Sequence, residues 1–180
     1  MEKAMDVYLS SELDDKIKID SSFSLTSIAL ELDSKNIQAL THKTTLLYRK
    51  KDIEGLIRTV DELIVLKPEI PQFLGQKALF LELKGDTTLA KEYYARALNM
   101  YEDYLNKDSL NFDLRLEYIG MLEAAGDTAS ANREFELMKL KDYKDFQKDI
   151  LDKYKDIYVS KEKLTKYWTG EISYEQIVGE

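Results

Sequence analysis

The sequence predicts an all-α fold, an array of antiparallel helix hairpins, from three observations. A turn-and-helix segment recurs: Gly85-Asp86-Thr87-Thr88-Leu89-Ala90-Lys91-Glu92-Tyr93-Tyr94-Ala95-Arg96-Ala97-Leu98 is echoed by Gly126-Asp127-Thr128-Ala129-Ser130-Ala131-Asn132-Arg133-Glu134-Phe135. Recurrence of this kind marks a repeat array. Apolar residues fall three and four apart, which defines a helix face, whereas a strand alternates every two. Composition agrees: two prolines, seven glycines and 33% charged residues suit a helix-rich chain. At 180 residues it is long enough for one core and too short to demand two domains.

The register is counted from the turn before each second helix. Lys51-Asp52 lies 34 residues before Gly85-Asp86, and another 34 back is Ile17-Lys18, a poor turn. Ala29 to Asn36 closes the first unit and Leu63 to Pro68 the second, again 34 residues on. Gly126-Asp127 follows Gly85-Asp86 by 41, one period plus seven. Glycine can end a helix in the left-handed conformation, and aspartate can cap the N–H groups that open the next. The predicted units span residues 3–36, 37–70, 71–111 and 112–141, with a cap helix over 142–158 and a tail over 159–180. In the third unit Leu74, Ala78 and Leu81 share one face, then Leu89, Ala90, Tyr93, Tyr94, Ala97 and Leu98 the next. The fourth gives Leu114, Tyr118, Ile119 and Leu122, then Ala131, Phe135 and Met138.

The seven extra residues lie between Ala97 and Asn106, where the stripe Ala90, Tyr94, Ala97, Leu98, Tyr101, Leu105 runs on without a phase break. This predicts a helix lengthened by about 10 Å, packed against an equally long start of the next helix from Leu110. Tyr101 and Tyr104 are read as packing residues, with a contact ridge as the alternative. Tyr143, Phe146, Ile150, Leu151, Tyr154 and Ile157 give the cap helix its inner stripe, under an outer face of Lys and Asp that includes the pair Asp149 and Lys153. A charged outer face is what the end of a repeat array requires. In the tail, Ser160 opens a short helix and Ser173-x-x-Gln176 has capping-box spacing. Tyr167, Trp168, Ile172, Tyr174, Ile177 and Val178 predict that the tail packs on the cap; the alternative is that it folds back into the groove described below.

The units resemble tetratricopeptide repeats. That family's pattern is Trp-x2-Leu-Gly-x2-Tyr, then Ala-x3-Phe, then Pro. Here Ala90-x3-Tyr94 and Ala131-x3-Phe135 match, Leu56-x3-Val60 is a weaker match, and Ala78 and Thr44 supply the small residue that Ile119 replaces in the fourth unit. Pro68 is the one closing proline, with Ser34 and Glu102 in the equivalent places. No Trp opens a unit, and Lys43 and Lys77 stand where the family favours Leu. The resemblance covers roughly residues 20 to 140. The alternative, an irregular bundle with coincidental spacing, predicts neither the 34-residue register nor the small residues at the hairpin contact.

The resemblance implies a right-handed α-solenoid of about three to four repeats, whose first helices line a concave, partner-binding face. That face would carry Gln38, Thr41, Thr45, Tyr48 and Arg49, then Gln72, Gly75, Leu79, Glu82 and Leu83, then Asp113, Leu116, Gly120 and Glu123. Gly75 and Gly120 would let a partner backbone approach closely. The Lys, Asn and Arg with which some members clamp the C-terminal carboxylate of heat-shock chaperones are missing, which disfavours that role. The surface suits a partner with apolar anchors and some basic residues.

Chemistry and other partner classes are disfavoured by composition. A net charge of −8 opposes broad phosphate-backbone binding, including RNA binding by a related helical-repeat class of about 35 residues. With no cysteine there is no disulfide, thiolate site or thiol nucleophile. His42, the sole histidine, rules out a multi-histidine zinc site and is read as a polar surface residue on the groove side. There is no glycine-rich phosphate loop, and Asp14-Asp15 is read as an ordinary acidic pair. No catalytic residue, cofactor or metal is therefore expected. No run approaches the ~18 apolar residues of a membrane span, and Met1 to Met5 lacks a signal core. The chain is read as cytoplasmic, or as exported or lipid-anchored if an N-terminal signal was trimmed. The expected function is a non-catalytic scaffold for a peptide or protein partner. The alternative is a homodimer module that self-associates through the long Tyr-rich helix or the C-terminal tail.

Overall fold

The structure, a computed structural model, describes residues 1–10, 14–157 and 159–178, with side chains at all of these except 155–157 and 178. Ile157 and Val178, named in the apolar stripes above, thus have side chains outside the described set. Eleven helices and no strand occur among the described residues. They form two compact units, Met1–Lys84 and Gly85–Glu180.

The first unit holds α1 (Glu2–Leu9), α2 (Asp15–Leu32), α3 (Ile37–Arg49), α4 (Ile53–Leu66) and α5 (Pro71–Lys84). Each packs on its neighbour in sequence. Its interior is filled at helical spacing by Ile19, Leu40, Leu46, Leu47, Leu56, Val60, Leu63, Leu74, Ala78 and Leu81. The second unit holds α6 (Thr87–Lys107), α7 (Phe112–Ala125), α8 (Thr128–Lys139), α9 (Asp145–Ile157), α10 (Lys161–Thr169) and α11 (Tyr174–Val178). There Phe112, Ile119, Leu122, Ala131, Phe135, Met138, Tyr143, Leu151 and Tyr154 make one cluster that ties α7, α8 and α9 together.

The turns repeat in their dihedrals as well as in sequence. Asp52, Asp86 and Asp127 each cap the helix that follows, accepting from the N–H three residues on: Gly55 at 2.9 Å, Leu89 at 3.2 Å and Ser130 at 3.0 Å. The residue before each cap is left-handed: Lys51 at φ 54°, Gly85 at 99° and Gly126 at 89°. At Lys51 and Gly126 the same bond then closes the preceding helix, from Asp52 N–H to Leu47 O at 3.0 Å and from Asp127 N–H to Leu122 O at 2.9 Å. The longer connections also agree. Asn36, Ile70 and Asn111 each donate to the carbonyl three residues back, at 3.2, 3.2 and 3.3 Å, and Asn36 and Asn111 cap α3 and α7.

The opening unit departs from the counted register. Ile17-Lys18 lies inside α2, and the turn comes earlier: α1 ends at Leu9, and Asp14 caps α2 by accepting from Lys16 N–H at 3.0 Å. The seven extra residues do lengthen a helix, since α6 runs unbroken for 21 residues. The next helix has no matching extension. Leu110 is 65% exposed in the connection, and Asn111 fixes the start of α7 at Phe112. Tyr101 and Leu105 bury the end of α6, with Tyr101 and Tyr118 ring centroids 6.2 Å apart, so Tyr101 is a packing residue. In the cap helix, Leu151 and Tyr154 are buried but Phe146 is 59% exposed.

The tail is helical as the caps predict. Ser160 accepts from Lys163 N–H at 3.2 Å, Gly170 ends α10 in the left-handed region, and Ser173 N–H donates to Gln176 Oε1 at 2.8 Å, one arm of a capping box. Tyr167 and Ile177 are buried, Tyr167 packs edge-on to Tyr174, and the Lys161 ammonium sits 5.5 Å over the Tyr94 ring of α6. No helix among the described residues is long and apolar enough to cross a membrane.

Candidate interaction surface

Helix α3 shows how the sequence builds a two-sided element. Asn36 opens it by accepting from Ala39 N–H at 2.9 Å. Ala39, Leu40, His42, Thr44, Leu46 and Leu47 are buried. That leaves Gln38, Thr41 and Thr45, three and four residues apart, exposed along the outer face, with Tyr48 and Arg49 half-buried at its end. The Arg49 guanidinium turns inward: it donates to Tyr8 Oη at 3.2 Å and pairs with Asp15, so its charge ties α3 to α1 and α2. Burial works against this charge, but the bonds to Tyr8 and Asp15 outweigh it and raise the pKa.

The other predicted surface residues are less open. On α5, Gln72, Leu79, Glu82 and Leu83 are half-buried and Gly75 is buried. On α7, Asp113 is exposed, while Leu116, Gly120 and Glu123 are half-buried and Leu116 packs against the core of its unit. Each set lies on one face of its own helix. Of the fourteen, Gln38, Thr41, Thr45 and Asp113 are the most open to solvent.

His42 is not at the surface. It is 6% exposed, with Nε2 2.8 Å from Ser22 Oγ and its ring edge-on to Tyr8 at 5.4 Å between centroids. Ser22 Oγ also lies 2.7 Å from the Ala4 carbonyl. A carbonyl only accepts and a hydroxyl has one proton, so Ser22 donates to Ala4 and accepts from His42 Nε2–H. That is the reverse of a base-activated serine, whose proton must point at the imidazole. The group is a buried polar strut across α1, α2 and α3. The spacing Ala39, His42, Leu46 carries the signal for this burial in the sequence, whereas the contact with Ser22, twenty residues away, depends on how α2 packs on α3. Burial lowers the His42 pKa.

Among the described residues no group of three or more His, Cys, Asp or Glu side chains is placed to hold a metal ion. No protein-family model, curated protein or solved structure matches the chain.

Proposed function

We propose that the protein is a non-catalytic interaction scaffold, built of tetratricopeptide-like helix hairpins in right-handed solenoid order, whose first helices offer a strip to a peptide or protein partner. The observation that carries this reading is the outer face of α3, where Gln38, Thr41 and Thr45 are exposed while the opposite face is buried. Such side chains both donate and accept, at about one helical turn of spacing, which suits the backbone of an extended segment or the polar flank of a helix. The recurrence of a left-handed residue and an aspartate cap at 51–52, 85–86 and 126–127 supports the repeat assignment. In the second unit the strip from Asp113 to Glu123 is acidic at both ends and favours basic residues on a partner. Self-association through the Tyr-rich helix has less support, because Tyr101 is buried against α7.

The test is affinity capture from an extract of the source cells on the immobilised full chain, beside the variants Thr41→Arg/Thr45→Arg and Tyr48→Ala/Leu79→Ala. A protein held by the wild type and lost from the variants is the expected result. Equal retention by correctly folded variants would sink the proposal.

A further inference from the structure

We propose that α1 is a pH-sensitive latch: it docks on α2 and α3 while His42 is neutral, and protonation of His42 releases it with the rest of the unit still folded. Three contacts that hold α1 converge on one buried polar group. The Ala4 carbonyl accepts from Ser22 Oγ at 2.7 Å, the Tyr8 ring lies edge-on to His42 at 5.4 Å between centroids, and the Tyr8 hydroxyl accepts from Arg49 Nη1 at 3.2 Å. Ser22 Oγ in turn lies 2.8 Å from His42 Nε2. The eight residues of α1 carry no side-chain N-cap, and Ala4 is its one buried residue, whereas α3 buries six. A helix so short has little stability of its own, so these contacts decide whether it stays docked.

The neutral ring suits this site, because Nε2–H donates to Ser22 and the ring is only 6% exposed. A second proton would bury a charge, and among the described residues no carboxylate pairs with the ring. Around it α1 presents the Tyr8 hydroxyl, α2 presents Ser22 and Asp15, and α3 presents Arg49, whose guanidinium pairs with Asp15. Of the other charged residues on these helices and on α4, Glu2, Lys3, Asp6, Lys16, Asp20, Glu31, Glu54, Arg58 and Glu62 are exposed. Lys18 and Lys43 are half-buried cations, and Asp61 pairs with Lys77. None of them adds to burial as a cause of the ring's lowered pKa. The least costly way to bring water to an imidazolium is to lift its most weakly held cover, which is α1 and not the longer α2 or α3. Docking holds the ring below its ordinary 6.5 and release returns it there. Docking is therefore complete above that pH, weakens as pH falls toward the docked value, and levels off below it. Protonation and docking oppose each other to the same degree in both directions. The latch sits on the buried side of α3 and does not depend on the role of the outer strip.

The chain has one histidine, so a single imidazole resonance reports its pKa in the full protein by NMR. Amide exchange on the same sample, followed from about pH 7 to about pH 5, tests the release. Protection of the α1 amides, corrected for intrinsic exchange, is expected to fall by up to about tenfold per pH unit below the ordinary histidine value, with α3 and α4 still protected. His42→Gln should lose this component. Ala4→Arg crowds the α1–α2 contact at a site 2% exposed. With its other helices intact by circular dichroism, that variant should show a histidine pKa raised toward 6.5. Protection of α1 that ignores pH overturns the proposal, as does an equal fall in His42→Gln. So does an unchanged histidine pKa in Ala4→Arg, or the opening of α1, α3 and α4 together, which would be loss of the whole unit and not release of one helix.

Discussion

Burial of His42 between Ser22 and Tyr8 gives the first unit an acid-sensitive strut. Its ring is held neutral, with the folded pKa below the ordinary 6.5 because of burial. Between the folded and unfolded pKa values the unfolded chain binds more protons, so stability falls as pH drops below about 6.5 and levels off under the folded value. Urea denaturation of the wild type should therefore show a loss of stability between about pH 7 and pH 5. His42→Gln, which keeps a donor for Ser22 but does not titrate, should lose this component over that interval. An equal slope in the variant would refute the assignment. Asp127 acts in a separate window. Its pKa is lowered by its bonds to Ser130, so its contribution is lost only as pH falls below the ordinary carboxylate range near 3.8, and that loss should persist in His42→Gln. The groove that the family resemblance implies would put His42 at the surface, whereas its spacing to Ala39 and Leu46 puts it on the buried face of α3.

Helix α6 is the element in which local pattern and tertiary packing agree most fully. The unbroken stripe Ala90, Tyr94, Ala97, Tyr101, Leu105 is buried along its whole length. Tyr101, at 1% exposure, is the largest of the most fully buried side chains, and its hydroxyl lies 3.5 Å from Glu117 Oε2, at the limit of a hydrogen bond. The ring thus outweighs the hydroxyl. Tyr101→Ala should cost roughly 3–5 kcal/mol in urea unfolding, as for other large aromatic truncations, and Tyr101→Phe less than about 1 kcal/mol. Comparable losses for the two would mean that the hydroxyl holds the α6–α7 contact. The extension was legible because a helix needs only continuous phase. The start of α7 was not, because the cap at Asn111 decides it and not the leucine before it. The same holds at the other end of the chain: counting fixed periods placed a turn at Ile17-Lys18, while the capping carboxylate of Asp14 placed it several residues earlier. The α3 strip was legible because Asn36 and the apolar spacing fix which residues are left outside, whereas the burial of Gly75 depends on packing that spacing does not report.

Across the whole molecule the substantial helix contacts among the described residues join sequence neighbours. In such a chain stability is close to a sum of local interfaces, and the ends with the fewest contacts open first. Opening is expected first at the C-terminal end, because α10 and α11, helices of nine and five residues, have little stability of their own. The only tryptophan, Trp168, lies half-buried in α10 and reports on this end, while far-ultraviolet ellipticity reports on all the helices. The two probes should therefore part. In a urea titration the Trp168 fluorescence change is expected at lower denaturant than the loss of ellipticity, and amide exchange should be fastest in α10 and α11 and slowest in α3 and α4. Superimposable transitions would instead identify one cooperative fold that includes the tail. In that event the Lys161–Tyr94 contact with α6 and the buried Tyr167 and Ile177 would carry more of the stability of the second unit than two such short helices suggest.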